Sequence, residues 1–580
     1  MTQHDDSSTQ TDAPRRRTWL ARWHALVVVG LLVVLFGQAA ISAWQNSVTV
    51  DEFAHLPAGY IYWARGDFSI YDRNPPLIKM WASLPLFRSS LDKRFVKNDN
   101  YRAAGYDFMM DNAAMYRTLY WRCRMMIALL SVGLGYLVFR WSRELFGIAG
   151  GLLSLAVYAL SPNVITHSSV VSTDLGAAAT CTLACYALYK LAGKWTVWRL
   201  ALVGVAVGLA IIAKFTGLML LIVAPMVLVL DALLRRRHLP WRKELVHGAI
   251  TLAVIVVASL LIINAGYAFK GTLRPWRAYG DAYGGVGAVG NSFLAPLPAP
   301  FPEAFLRGFA GQRRESVKPQ FQYLWGEVSD HGWWYYYAAA FLLKEPIAVM
   351  ALLVLAIYTG IRRFDRRAFV FVVVPALFFF VVFSFGTRVN MGIRYMLPAL
   401  TLLYVSLGAI VRDDAPPLLR RPAFLVVPAV LVAWLVVEAA ITCPQYLAYF
   451  NEFAGGHGER YLIDSNCDCS QDHVRLRRYL ERHGIERPYL ATFGCVDAKV
   501  YGVEYETLMP NTPVSGDVFI SINLYDGYPY LTPNNGNGWL DLRGGGRRDG
   551  YAWLRAHKPL GRVGGSLYHF RIEPDAAAPD

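Results

Sequence analysis

RRRTWLARWHALVVVGLLVVLFGQAAISAWQNSVTVDE, residues 15–52, joins a triple arginine, an apolar stretch and an adjacent acidic pair, Asp51-Glu52. Residues 25–43 contain no charged side chain, and that length suits the roughly 30 Å of hydrocarbon in a bilayer. A secretory signal also places arginines before an apolar segment, but its apolar region is shorter and ends at a small-residue cleavage site. No clear site of that kind stands here. The stretch therefore reads as a retained transmembrane helix, with Arg15, Arg16 and Arg17 on the cytoplasmic side and Asp51-Glu52 at the far mouth.

The rest of the chain fits that reading. It is 55% hydrophobic and only 17% charged, with a mean hydropathy of +0.30, which is too apolar for an ordinary soluble globule. The net charge of +15 is not a nucleic-acid signature, because Lys and Arg fall in short clusters between apolar runs. No nucleic acid is expected as a partner. Seven cysteines without metal-like CxxC pairing give no zinc site.

About eleven spans are predicted, beginning near Ala25, Leu119, Gly147, Asp174, Trp198, Phe215, Val246, Pro346, Ala368, Ile393 and Ala423. With the N-terminus inside, every second loop should be basic. Those loops carry Arg140 and Arg143; Lys190, Lys194 and Arg199; Arg235, Arg236 and Arg237; Arg362, Arg363, Arg366 and Arg367; and Arg412, Arg420 and Arg421. A single slipped span would invert the alternation.

This gives a cytoplasmic tail over 1–24, a transmembrane core over 25–442 with outer loops at 44–117 and 270–334, and an extracytoplasmic region over 443–580. The fold class is an α-helical polytopic membrane protein with a small C-terminal α/β domain. In that domain residues 472–483 have amphipathic helical spacing, and 489–493 and 518–524 read as strands between Gly, Pro and Asn. The aromatic- and proline-rich outer loops, with Tyr60 to Trp63 and Trp333 to Tyr337, suit short helices in the headgroup layer. The expected location is the inner (plasma) membrane, with the C-terminal domain outside.

Candidate chemistry gathers at the outer ends of helices. A carboxylate pair at the membrane boundary costs desolvation energy, which points to a purpose for Asp51-Glu52. The plain alternative is a helix N-terminus, where Asp and Glu are favourable. His55 lies one turn beyond Asp51. Then follow Gly59, Tyr60, Gly66-Asp67 and Asn74-Pro75-Pro76-Leu77-Ile78-Lys79. In order and approximate spacing this resembles the first external loop of the protein O-mannosyltransferase and aminoarabinose transferase families. These are integral-membrane glycosyltransferases of the GT-C type.

The resemblance implies that Asp51 is the base that deprotonates the acceptor. It also implies that Lys79 or Asn74 meets a lipid phosphate, and that Asp174 in the short loop His167–Ser172–Thr173–Asp174 is a second acidic residue. A snorkelling lysine and a helix cap are the competing readings of Lys79 and Asp174. Lys214 and Arg394, the latter in Gly392-Ile393-Arg394-Tyr395-Met396-Leu397-Pro398, are cations on the outer side. They ask for an anionic partner, either a phosphate or a loop carboxylate. His55, Asp67, Glu327 and Lys344 are candidates for an acceptor groove. Residues 464–472, Asp-Ser-Asn-Cys-Asp-Cys-Ser-Gln-Asp, resemble an element near the end of bacterial relatives, and also read as an Asx-rich turn. A disulfide among Cys467, Cys469 and Cys495 is left open.

The expected activity is inverting transfer of a hexosyl or pentosyl unit from a polyprenyl-phosphate carrier to a lipid, glycan or protein acceptor, inversion being carried by the resemblance. No cofactor is expected, although carboxylates from two loops could hold Mg²⁺ or Mn²⁺. The alternatives are a transporter or flippase of lipid-linked glycans, a polymerase, and a non-catalytic scaffold. No convincing internal repeat supports a transporter, and no Walker motif supports an ATP-driven pump.

Overall fold

The computed structural model describes residues 13–235, 240–280, 283, 285–412, 422–543 and 549–574. Each predicted span start falls on or beside an apolar helix. Among the described residues, seven helices are long and apolar enough to cross a membrane: Arg22–Gln45, Ala113–Phe146, Asp174–Gly193, Phe215–Leu234, Trp241–Gly266, Arg366–Phe385 and Ile393–Val411. Two further starts fall on bent pairs, Ile148–Leu160 with Pro162–Ser168 at 64° and Tyr336–Lys344 with Ile347–Arg362 at 111°. Both bends sit at a proline, Pro162 and Pro346, which cannot donate into the preceding turn. The last two starts fall on the shorter apolar helices Val197–Ala213 and Val426–Thr442. The described chain is mostly helical, with the run of long apolar helices expected of a multi-pass membrane protein.

The basic loops meet in space at one end of this bundle. Lys190 pairs with Glu144 at 3.0 Å, Arg235 with Asp231 at 2.7 Å, and Arg366 reaches the same Asp231. Arg367 donates to Tyr189 O at 2.6 Å and Arg412 to Arg363 O at 3.1 Å. Arg236, Arg237, Arg420 and Arg421 lie outside the described residues. Asp174 and Arg394 begin helices whose far ends approach Lys190 and Arg412, so the acidic and basic candidates occupy opposite ends of the bundle.

The first long loop forms the Val50–Arg65 helix and, after an αL turn at Gly66, the short Leu77–Ser83 helix. The expectation that such helices lie in the headgroup layer is corrected here, because Glu52 through Tyr62 are all buried. Close packing is the reason: a Cβ on Gly59 would stand 2.2 Å from Lys79 O, so only glycine lets the two helices approach this closely. The aromatic run at 333–337 divides in the same way. Trp334 is exposed, whereas Tyr336 and Tyr337 are buried and donate or accept inside the protein.

Beyond the last apolar helix, a five-stranded sheet has the order Glu506–Thr507, Tyr489–Ala491, Gly516–Ser521, Leu567–Ile572, Gly561–Val563. The first three strands run parallel and the last two pair antiparallel. The amphipathic helix forms over His473–His483 and packs Leu476 and Leu480, one turn apart, against Leu490 and Phe519 of the sheet. This region shares its core with the bundle: Val474, Tyr501 and Leu531 join the same buried cluster as Phe53 and Tyr116.

Candidate active site

Thr49 caps the Val50–Arg65 helix and Glu52 is its third residue, completing a capping box. Glu52 is fully buried and receives Thr49 N at 2.9 Å, Thr49 Oγ1 at 3.0 Å and Val171 N at 2.7 Å. Arg124 adds Nε at 2.7 Å and Nη2 at 2.5 Å. Arg124 spends its remaining donors on the carbonyls of Ala43, Asn46 and Ser47. Of the acidic pair, Glu52 takes the helix-capping reading and not a catalytic one: its oxygens are filled by five protein donors, and it holds the first helix, the second span and the Val171 loop together.

Asp51, one residue earlier, faces the other way. Its carboxylate pairs with Arg394, and a third of the side chain remains exposed. Enclosure in the cluster pushes its pKa up, but Arg394 and His55 outweigh this and hold the carboxyl below the ordinary aspartate range. Arg394 also donates through Nε to Met391 O at 3.2 Å. Asp174 opens the Asp174–Gly193 helix, and Lys214 Nζ sits 2.5 Å from its Oδ1. The capping reading of this loop is only partly met, since Thr173 is the N-cap residue but its side chain makes no capping bond. Lys214 Nζ also lies 4.2 Å from the centre of the Tyr395 ring, with the Arg394 guanidinium 5.9 Å from the same ring. Two acid–base pairs from four separate chain segments thus share one aromatic side chain.

His55 faces the same cluster. Its Nδ1 is 3.1 Å from Val171 O, and a carbonyl only accepts, so that nitrogen carries the proton. Val171 is therefore gripped at both ends, its N–H by Glu52 and its carbonyl by His55, which fixes the Asp174 loop against the Asp51 helix. Burial lowers the His55 pKa against the pull of the Asp51 carboxylate. The 464–472 segment closes the other side: Ser47 N donates to Gln471 O at 2.9 Å, Val50 N to Cys469 O at 3.0 Å, and Ile393 N to Asn466 Oδ1 at 3.2 Å. It is more than a turn before a helix; it laces the entry to the Asp51 helix onto the Arg394 helix.

Residues 114–263 match the family model described as dolichyl-phosphate-mannose-protein mannosyltransferase. The chain resembles the membrane glycosyltransferases. The matched segment contains Arg124, Asp174 and Lys214 but not Asp51, Lys79 or Arg394, so it supports the resemblance read from the first loop through a separate part of the sequence. Among solved structures, ArnT from Cupriavidus metallidurans bound to undecaprenyl phosphate is similar at 14% identity and a TM-score of 0.47, over 96% of this chain and 99% of that one. The Saccharomyces cerevisiae Pmt1-Pmt2 complex bound to its sugar donor is similar at 20% identity and a TM-score of 0.33, over 44% of this chain and 36% of that one. The oligosaccharyltransferase AglB from Archaeoglobus fulgidus is similar at 14% identity and a TM-score of 0.43, over 73% and 56%. No curated protein matches the sequence.

Other candidates lie apart from this cluster. Lys79 is wholly buried and donates to Tyr62 Oη at 2.7 Å, Tyr71 O at 2.8 Å and Asn74 O at 2.6 Å. All three ammonium donors are taken, and burial drives its pKa well down. The expectation of Lys79 as a phosphate contact is corrected: it pins its own loop, with Asn74 contributing a backbone carbonyl. Asp67 accepts from Ser69 N at 2.9 Å in a local turn. Glu327 is exposed at the end of a short hairpin, paired across it with Leu324. Lys344 is buried and donates to Leu447 O and Asn466 O, bracing the C-terminal segment rather than lining a groove. All seven cysteines are free thiols.

Sequence reasoning missed Arg124, the Val171 grip and the bracing by residues 464–472. Arg124 had a readable signal, since an arginine inside an apolar span demands a buried partner. The other two rest on backbone groups, which carry no residue-type signature.

Proposed function

We propose that this chain transfers a sugar from a polyprenyl-phosphate carrier to an acceptor on the outer face of the membrane. The observation that carries the reading is the pairing of Asp51 with Arg394 beside Asp174 with Lys214, at the end of the bundle opposite the arginine-rich loops. Two carboxylates and two cations around one aromatic side chain offer both halves of such a reaction. Arg394 and Lys214 meet the donor phosphate as cations. Asp51, the more exposed carboxylate, takes the proton from the acceptor hydroxyl or amine as that atom attacks the anomeric carbon. The carbon–oxygen bond to phosphate breaks, and the polyprenyl phosphate leaves with both bonding electrons. Attack from the face opposite the leaving group inverts the anomeric centre. Asp174, buried and paired, positions Lys214.

The phosphate is a good leaving group, so most of the acceleration comes from holding donor and acceptor together. As Arg394 turns toward the incoming phosphate, its hold on Asp51 weakens and the carboxylate becomes a better base. No metal-assisted step is included; treatment with EDTA should leave transfer intact, and restoration by added Mg²⁺ or Mn²⁺ would overturn that part.

The test is incubation of membranes containing the chain with radiolabelled polyprenyl-phosphate hexoses and pentoses. Label should move into a lipid, glycan or protein fraction from at least one donor. Transfer only from nucleotide sugars, or label crossing the membrane still attached to its carrier, would overturn the reading in favour of another enzyme or a flippase.

A further inference from the structure

A cavity of about 360 Å³ lies at the seam between the end of the last apolar helix and the C-terminal sheet, lined by Gln445, Phe450, Glu459, Cys467 and Arg562 among others. Its volume falls in the range of small-molecule sites. Ile441, on its rim, is 79% exposed and belongs to an apolar helix, so one side of the mouth faces the lipid. The floor is polar. Glu459, 7% exposed, accepts from Arg562 Nη1 at 2.7 Å, and Arg562 Nη2 donates to Gly456 O at 2.7 Å. His457 Nδ1 lies 3.2 Å from the same carboxylate.

In this pair the carboxylate is buried while the guanidinium is 34% exposed, and both line the cavity. Glu459 supplies acceptors and Arg562 donors, the two roles that a hydroxyl group needs from its partners. Their charges cancel, and the carboxylate repels a phosphate, so this is not a second seat for the proposed donor's anion. At Gly456, in a left-handed backbone conformation, an added Cβ would meet nothing within 4 Å, which leaves the main chain open to the cavity. Phe450 offers an apolar wall; its ring is braced by Lys344 Nζ at 4.4 Å. Balanced hydrogen-bonding charges, an aromatic wall and a lipid-side mouth suit an uncharged polyol attached to an apolar tail.

We propose that this cavity seats the uncharged, hydroxyl-rich headgroup of a membrane-anchored glycolipid, its tail leaving past Ile441. One segment links the cavity to the reaction cluster. Cys467 lines the cavity, and the neighbouring Asn466 holds Ile393 N through its side chain, next to Arg394. As the acceptor's seat, the proposal rests on the transferase reading above; its binding test does not, so the two fail separately.

The probe is an alkyl maltoside with a dodecyl chain carrying a diazirine next to the disaccharide, added to the full chain in phospholipid nanodiscs. After irradiation and digestion, adducts should concentrate on residues 441–450, 456–459 and 562–565, and unlabelled dodecyl maltoside should compete. Glu459→Gln should reduce labelling roughly tenfold, the scale of a lost charge-assisted hydrogen bond. Gln445→Trp, at an exposed position on the rim, should block the cavity without disturbing the fold and remove the adducts. Equal competition by dodecylphosphocholine would reveal capture of an alkyl chain alone and overturn the proposal. Adducts scattered over the apolar helices, or unchanged by Gln445→Trp, would overturn it as well.

Discussion

Two arginine–carboxylate pairs stand on consecutive residues of one helix, and they are built to opposite ends. Arg124–Glu52 is closed: the side chains are 2% and 0% exposed, and every donor of the arginine is used inside the protein. Arg394–Asp51 is open, with 17% and 34% of the side chains exposed. A closed pair defends its geometry, whereas an open one can exchange its partner for a ligand. The difference teaches how one acidic dipeptide divides its labour: Glu52 fixes the frame, and Asp51 is left with capacity to react.

The sharpest way to break this comparison is to break the closed pair. Arg124→Ala leaves Glu52 as a buried, uncompensated charge, which should cost about 3–5 kcal/mol. Thermal unfolding in detergent should show a large fall in midpoint, or the chain should fail to accumulate. If the variant melts like the parent and only transfer is lost, Glu52 belongs to the reacting cluster and the division is wrong. Lys79 gives the next largest effect. Lys79→Met leaves the partly buried Asn74 carbonyl without its donor, whereas Tyr71 O keeps the Tyr62 hydroxyl, at about 1–3 kcal/mol. The midpoint should fall while KM for the donor stays unchanged; a selective rise in that KM would return Lys79 to the phosphate site.

A pH profile sharpens the open pair. Asp51 titrates below the ordinary aspartate value of about 3.9, so the acid limb of kcat/KM should lie below that value. The sign for stability is the same: the contribution of ionised Asp51 is present above its unfolded pKa and is lost as pH falls through the lower folded value. Arg394→Gln removes the largest lowering influence and leaves His55 alone against enclosure and Asp174, which push the pKa up, so the limb should move to higher pH. An unmoved limb would mean that Arg394 does not govern Asp51. The smallest effect belongs to Glu327→Ala, on an exposed hairpin, where stability should change by less than about 0.5 kcal/mol and transfer should be unaffected.

The helices were legible because the bilayer imposes length and apolarity, and the clustering of basic loops at one end follows from charge alternation along the chain. The amphipathic 472–483 stretch was legible for a similar reason, its period of 3.6 surviving in His473–His483. Within the site, Lys214 and Arg394 could be nominated because cations on the outer side are conspicuous, and Asp51 and Asp174 because the resemblance read from the first loop singled them out. What could not be read was how each charge is satisfied. Lys79 and Glu52 have the same sequence-level appearance as the open residues, and only three-dimensional proximity to carbonyls and to Arg124 separates them. The burial of the Val50–Arg65 helix was hidden too, since an aromatic run reads alike on a headgroup surface and beneath a covering domain.

The most direct measurement is transfer by Asp51→Asn in the same membranes, with expression and thermal midpoint recorded beside the parent. Asparagine keeps the shape and removes the proton acceptor. Loss of transfer of about a hundredfold or more, with the midpoint preserved, is the predicted result; transfer at the parental rate would contradict the assignment of Asp51 as the base.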